Sequence, residues 1–183
     1  HIPLGRNLLA VMLVLVLAWL AGCETRPAAA TAPAAPEPTR AEKVRTALKA
    51  MSFVEEPDGW HLSLPAPLVF EFDSDTVASH ARDNLLRIAR ELRELGIDRT
   101  LVRGHTDNVG ARDYNLGLSK RRADAVASYL VSRSVQAGKL RTSSMGESQP
   151  VAPNTLPNGK DNPEGRAQNR RVEITTVTET CRE

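Results

Sequence analysis

The chain has 183 residues, of which 41% are hydrophobic, 25% are charged and 4% are aromatic. This length accommodates one globular domain with appendages, because domains average roughly 150 residues. The formal net charge of +2 is too small to favour nucleic-acid binding, which needs clustered Lys and Arg to neutralise phosphates. Two cysteines exclude a disulfide-stapled scaffold and a zinc site built from Cys pairs.

An uncharged apolar run occupies residues 8–22 and follows the single basic residue Arg6. The run is shorter than the ~20 apolar residues that cross a bilayer and fits the core of a signal peptide. It closes on Leu20-Ala21-Gly22-Cys23, which resembles the lipobox of bacterial lipoproteins. The resemblance implies a signal peptide at 1–22, cleavage after Gly22 and acylation of Cys23. An uncleaved anchor helix is the alternative.

The next segment, residues 23–40, combines the acylated cysteine with a linker rich in Pro and Ala. Such a composition cannot form a core and predicts an extended spacer. Glu24, where an inner-membrane retention signal would have Asp, favours the outer membrane. Cys181 is then the remaining thiol, and the sequence assigns it no role.

Helical and extended patterns follow one another beyond the linker. Apolar spacing predicts helices over 41–51, 78–95 and 115–131, strands over 60–64, 68–72, 100–104, 140–144 and 172–175, a turn at 55–59 and a Pro-rich loop before the last strand. This order predicts an α+β fold, a two-layer βαβαβ(α)β sandwich with helices packed on one mixed four-stranded sheet. We assign 41–66 to an N-terminal helix and extra strand, and 67–178 to the main domain.

The stretch from His105 to Ala123 is the densest in chemically active side chains. It leaves a strand, passes through a glycine-bearing loop and enters a helix, so backbone N–H groups would line the mouth of a pocket. Asp107 lies at the end of the strand, and Arg122 lies two turns into the helix. An acid and a guanidinium therefore face one cleft; a surface ion pair between them is the alternative.

A longer pattern in this stretch is specific. The spacing Thr106-Asp107-x2-Gly110-x3-Tyr114-Asn115-x2-Leu118-Ser119-x2-Arg122-Ala123-x2-Val126 resembles the signature of the OmpA-like C-terminal domain family. That family includes peptidoglycan-associated lipoproteins, OmpA porins and MotB. Residues 70–74 and 169–174 resemble its flanking strands, so the resemblance covers roughly residues 67–176. Val77-Ala78-Ser79 departs from the leucine and proline that often begin the first family helix.

The resemblance implies non-covalent binding of peptidoglycan through the diaminopimelate of its stem peptide. Asp107 corresponds to the family's Asp, which accepts from the ammonium, and Arg122 to its Arg, which holds the carboxylate with a planar two-pronged guanidinium. The remaining expected site residues are Asp73, Asn108, Asn115, Leu118 and Arg170. Asn115 is expected to cap the helix and shape the loop. Arg170 and Arg171 alternate across a strand, so at most one faces the cleft and the other is a solvated charge.

The expected function is an outer-membrane lipoprotein whose periplasmic domain tethers that membrane to the cell wall. Asp58-Gly59-Trp60 also resembles a subgroup of these lipoproteins that hold a periplasmic regulator of an envelope signalling system. That function is the alternative, although packing of Trp60 on the domain's edge, as a stabilising extra strand, is favoured.

Catalysis is not expected from this sequence. Ser119 lacks the G-x-S-x-G elbow of a nucleophile, and no pair of carboxylates is arranged for glycan cleavage. His105 and Asp107 are too few to hold a metal ion. We therefore expect no catalytic residue, metal or cofactor, and no nucleic-acid partner.

Overall fold

The computed structural model describes residues 37–97, 99–133 and 139–177. The predicted signal peptide, the predicted acylation site Cys23, most of the linker and Cys181 lie outside these residues. Residues Pro38–Glu183 group into one compact unit. Within the described residues, no helix is both long enough and apolar enough to span a bilayer.

The first helix begins where the linker ends. Helix α1 spans Arg40–Ala50, which confirms the predicted helix over 41–51. A capping box starts it, because Thr39 Oγ1 accepts from the Glu42 N–H at 3.2 Å while the Glu42 carboxylate accepts from the Thr39 N–H at 2.6 Å. Leu48 is fully buried and attaches α1 to the core.

Five strands and four further helices follow. They are β1 (Val54–Glu56), β2 (Gly59–Pro65), α2 (Ala66–Val69), α3 (Ser79–Glu94), β3 (Thr100–His105), α4 (Arg112–Arg133), β4 (Leu140–Gly146), α5 (Pro163–Asn169) and β5 (Arg171–Thr176). The strands form one mixed sheet in the order β1-β2-β5-β3-β4, antiparallel except for the β3–β4 pair.

The α+β class and the mixed sheet are confirmed, but the sheet has five strands instead of four. Strand β1 lies partly within the predicted turn at 55–59 and was not expected. The predicted strand at 68–72 is wrong, since Leu68 and Val69 end the short helix α2 and Phe70 makes only an isolated bridge to Val77. Pro67 explains this, because proline has no N–H for a ladder and its fixed φ suits a first helical turn.

Trp60 lies inside the sheet, in β2 between β1 and β5, and is 2% exposed. The favoured expectation, that this tryptophan packs in an extra strand, is confirmed, although the strand is internal rather than at the edge. Alternating burial along β3 places Val102 in the core and leaves Leu101 and Arg103 half-buried on the other face. We call that other face the open face.

Strand β3 and helix α4 touch backbone to backbone at Gly104. A Cβ built on Gly104 would lie 1.9 Å from the Ser119 carbonyl oxygen, far inside any contact distance. The side-chain hydroxyl of Ser119 also accepts from the Gly146 N–H at 3.1 Å. This approach fixes the strand that precedes Asp107 against the helix that carries Arg122.

We expect Gly104→Ala to destabilise the protein by more than the ~1–3 kcal/mol of ordinary overpacking, because backbone must move. Urea unfolding followed by circular dichroism measures this. Gly117→Ala in α4 is the matched control: its Cβ would meet only the Arg121 side chain, at 3.3 Å, and helix propensity favours alanine by roughly 1 kcal/mol. Equal stability of the two variants would contradict the role of this contact.

Candidate ligand-binding site

Asp107 lies in the loop after β3 and is 7% exposed. The Thr106 N–H donates to the Gly146 carbonyl at 2.8 Å, which continues the β3–β4 pairing up to the loop. The Asp107 Oδ1 atom accepts from the Val109 N–H at 3.1 Å, a local turn that aspartate favours. Gly110 completes the turn with a φ of +99°. The carboxylate is therefore held by its own loop.

Asn115 joins this loop to two neighbouring segments. Its Nδ2 donates to the Asp107 carbonyl at 3.3 Å and to Glu147 Oε2 at 2.8 Å, and the residue is 2% exposed. The expectation that it shapes the loop agrees with these bonds. It does not cap the helix, because α4 already begins at Arg112. Because Asn115 is buried, we expect it to position the Asp107 loop rather than to contact a ligand directly.

Arg122 is held on the opposite side of the site and is 6% exposed. Its Nε donates to the Ser74 carbonyl at 3.0 Å, and its guanidinium lies 5.3 Å from the centre of the Phe70 ring. Burial lowers the pKa of Arg122, while the charges of Asp73 and Asp75 oppose that shift. Arginine stays protonated in proteins, so a desolvated cation is fixed here with terminal N–H groups that the Ser74 bond does not use.

Asp107 and Arg122 do not pair with each other, so the alternative of a surface ion pair is wrong. Among the described residues, the ion pairs of Asp107 run to Arg170, at 2.6 Å, and more loosely to Arg166, at 3.8 Å. The charge of Arg170 also lowers the pKa of Arg122, after the larger effect of burial. One acid and two arginines therefore belong to the same polar cluster.

Arg170 and Arg171 point in different directions, as alternation predicts. Arg170 reaches Asp107, whereas Arg171 is 4% exposed and donates through Nε to Glu173 Oε1 at 2.8 Å and through a terminal nitrogen to the Gln149 carbonyl at 3.2 Å. The expectation of a solvated Arg171 is wrong, because the loop before α5 folds over it and supplies acceptors.

The other expected site residues lie nearer the solvent. Asp73 is exposed and adopts a left-handed φ of +49°, a conformation that aspartate tolerates better than most residues. Asn108 is exposed and Leu118 is half-buried. Only Asp73 has an electrostatic link to Arg122 among these three.

Two residues of this region were missed by sequence reasoning. Arg166, on α5, pairs with Asp161 as well as approaching Asp107. Asn169 is fully buried; its Oδ1 accepts from the N–H groups of Val151 and Ala152 at 2.8 and 3.0 Å. The Asn162-Pro163 pair is a helix-start signal that could have predicted α5 and, with it, the position of Arg166.

Ser119 and His105, the residues considered for catalysis, are both buried. The Ser119 hydroxyl donates to the Leu116 carbonyl at 2.9 Å and is fully buried, so it serves helix packing. His105 is 1% exposed, and its Nε2 lies 3.4 Å from Glu173 Oε2. Neither side chain is presented to a substrate.

The described residues also contain one group with metal-ligand chemistry, Glu56, Asp58 and His61, whose ligand atoms lie within 4.8 Å of one another. It lies on the β1–β2 hairpin, outside the Asp107 cluster. His61 Nε2 and Asp58 Oδ1 are 2.7 Å apart, and this hydrogen bond lowers the pKa of Asp58. The hydrogen bond between His61 and Asp58 explains why these side chains lie close together.

Comparison with known proteins agrees with this geometry. Residues 69–164 match the OmpA family, and the chain belongs to that family. It is 32% identical over 173 residues to the outer-membrane lipoprotein YfiB of Pseudomonas aeruginosa, covering 94% of this chain and 95% of that one. The peptidoglycan-binding protein ArfA of Mycobacterium tuberculosis is 38% identical over 108 residues, 59% of this chain and 31% of ArfA.

Two further similarities concern a solved structure and a much longer protein. The cell wall anchor of the T6SS from Pseudomonas aeruginosa aligns with a TM-score of 0.59 and 32% identity, over 79% of this chain and all of that structure (100%). Photosystem I P700 chlorophyll a apoprotein A2 of Gloeobacter violaceus is 40% identical over 139 residues, 76% of this chain. The chain spans only 16% of that protein.

Acid is expected to weaken the fold through Glu173. Contact with His105 and the hydrogen bond and charge of Arg171 lower its pKa to about 2, against the opposing effect of burial. Because the folded pKa lies below the unfolded value of about 4.3, the ionised form stabilises the fold above that value and the contribution disappears as pH falls toward 2. A lowering of this size corresponds to a contribution on the order of a few kcal/mol at neutral pH.

Unfolding of the wild type and Glu173→Gln from pH 7 to pH 2.5 measures this effect. The stability difference between them should be largest at pH 7 and shrink below about pH 4.5. Glu94→Gln, at the exposed end of α3, is the control and should follow the wild type throughout. A difference that stays constant with pH would refute the assignment.

Proposed function

We propose that this chain is a non-enzymatic lipoprotein that binds peptidoglycan through the diaminopimelate of its stem peptides and so tethers the outer membrane to the cell wall. The observation that best supports this proposal is the cluster at a loop–helix junction of one carboxylate, Asp107, with two arginines, Arg122 and Arg170. Membership of the OmpA family and the names of two relatives, a peptidoglycan-binding protein and a cell wall anchor, support wall binding.

The free end of diaminopimelate is a zwitterion, with an ammonium and a carboxylate on one carbon. The ammonium requires an anionic acceptor, and Asp107 retains unused lone pairs beside its bonds to Val109 and Arg170. The carboxylate requires a fixed cation, and Arg122 is fixed by Ser74 and Phe70. A guanidinium can hold both carboxylate oxygens at once, which an ammonium cannot.

Arg170 compensates the charge of Asp107 when no ligand is bound. It covers Asp107 at 2.6 Å with a side chain that is 34% exposed, so it can turn toward solvent at little cost. In the bound state Asp107 would exchange part of that contact for the ligand ammonium, and Arg170 would be free to join Arg122 on the ligand carboxylate. The cluster thereby avoids an uncompensated buried charge in either state.

Attachment to the outer membrane is proposed through acylated Cys23. The apolar run at 8–22, the lipobox-like tetrapeptide and the Pro-rich segment support it, together with the similarity to an outer-membrane lipoprotein along nearly the whole chain. Holding a periplasmic regulator remains the alternative function, but Trp60 is buried within the sheet and is not itself available to a partner.

We expect Asp107→Asn and Arg122→Lys to reduce co-sedimentation of the full chain with isolated sacculi. Asn removes the charge and keeps the shape, whereas Lys keeps the charge and loses the two-pronged geometry. Breaking one partner of a buried charge pair costs about 2–5 kcal/mol, or at least roughly 30-fold in affinity. These changes are preferred to Arg122→Ala, which would also release Ser74 and Phe70.

Lys120→Gln, an exposed position of the same helix, is the control for charge and should bind like the wild type. Sacculi that carry lysine in place of diaminopimelate test the ligand, because lysine lacks the second carboxylate. Undiminished binding of both variants, or equal binding to both kinds of sacculi, would reject the diaminopimelate proposal. Soluble muropeptides in the supernatant would indicate cleavage of the wall and would reject the proposal that the chain is not an enzyme.

Replacing Cys23 by Ser is expected to leave an unprocessed chain that incorporates no radiolabelled palmitate, since the hydroxyl cannot form the thioether. Electrophoretic mobility and membrane fractionation in a Gram-negative host measure the result. Cys181→Ser serves as the matched control and should be processed normally. Normal maturation of the Cys23→Ser chain would disprove the lipid anchor.

A further inference from the structure

A second polar site lies on the open face of the sheet. A groove of about 400 Å³ is lined there by Arg99, Arg103, Lys139 and Arg141, with Asp58 as its one carboxylate. We call it the basic groove. Its size falls within the range of small-molecule sites, and its formal excess of three positive charges is larger than that of the whole chain, which is +2.

The arginines that line the groove come from neighbouring strands. Arg141 pairs with Leu101 across the parallel β3–β4 ladder, and Arg103 lies two residues further along β3. With strands about 4.8 Å apart and about 3.3 Å of rise per residue, the Cα atoms of the two arginines are roughly 8 Å apart. Two guanidinium groups at that spacing can converge on one anion. Arg103 is already oriented by its hydrogen bond to Thr175 Oγ1 at 3.3 Å.

The three arginines of the groove lie outside the ion pairs of the described residues. Across residues 37–97, 99–133 and 139–177, the ion pairs include none of Arg99, Arg103 and Arg141. Glu173 is opposite Arg103 in the ladder, but it is committed to Arg171 at 2.7 Å. Three arginines and a lysine beside one carboxylate leave an excess of positive charge in the groove. Like charges repel one another, so an anion that enters the groove would lower the electrostatic free energy of the folded protein.

We propose that the basic groove binds a phosphate-bearing small ligand, separately from the wall-binding cluster. A phosphate carries about two negative charges and three acceptor oxygens, which matches three arginines and a lysine better than a single carboxylate would. Guanidinium groups also hold phosphate oxygens in pairs. Free phosphoesters and the phosphate of a lipid headgroup share this chemistry.

Calorimetric titration of the full chain in non-ionic detergent tests the proposal, with inorganic pyrophosphate as the first probe and dihexanoyl phosphatidic acid as the second. One saturable site is expected, weakened at least tenfold in Arg103→Gln/Arg141→Gln. Arg82→Gln/Arg90→Gln removes two exposed arginines from α3, on the helical side of the sheet, and should bind like the wild type. If only dihexanoyl phosphatidic acid binds, the ligand is the phosphate of a lipid headgroup. If only pyrophosphate binds, the ligand is a soluble phosphoester.

Absence of saturable heat with either probe, or an equal loss in both double variants, would overturn the proposal. Tighter binding of hexaglutamate than of pyrophosphate would also overturn it, because the groove would then suit an acidic peptide. If Arg103→Gln/Arg141→Gln unfolds at an abnormal temperature, the exposed single change Arg141→Gln replaces it and should also weaken binding at least tenfold. Asp107→Asn should bind pyrophosphate normally, so failure here is distinguishable from failure of wall binding.

Discussion

The contact between Gly104 and Ser119 is the constraint on which the site depends. It brings the backbone of β3 against that of α4 at a distance that no side chain would permit. Asp107 follows β3 by two residues, and Arg122 lies less than one turn beyond Ser119. An acid and a guanidinium that belong to different elements are thereby fixed relative to one another, and such preorganisation lowers the entropy cost of the proposed binding.

Around this junction the polar groups form a layered arrangement. The inner layer consists of groups that are satisfied by the protein itself, Asn115 and Asn169 holding loops and Glu173 pairing with Arg171. The outer layer consists of Asp107 and Arg170, which pair with each other and retain capacity for a ligand. Burial of the inner layer fixes the geometry, and partial exposure of Arg170 leaves the site able to exchange partners.

The two faces of the sheet have different chemistry because only one is filled by helix side chains. Val102 and Ile174 are fully buried on the helical side, where apolar burial supplies most of the stability. On the open face, Arg103 and Arg141 are held near one another by strand pairing alone. Concentrating unpaired cations there is unfavourable for folding by itself, which is the physical reason to expect an anionic ligand.

Sequence alone determined the elements with strong periodicity, the α+β class and the family. These follow from local patterns, since apolar spacing and motif spacing are properties of nearby residues. Tertiary structure decided that Arg170, rather than Arg122, covers Asp107, that Arg171 is buried, and that Arg103 and Arg141 share a groove. Such outcomes depend on which distant segments meet, and no local pattern encodes the distance between side chains on elements that are far apart in the chain.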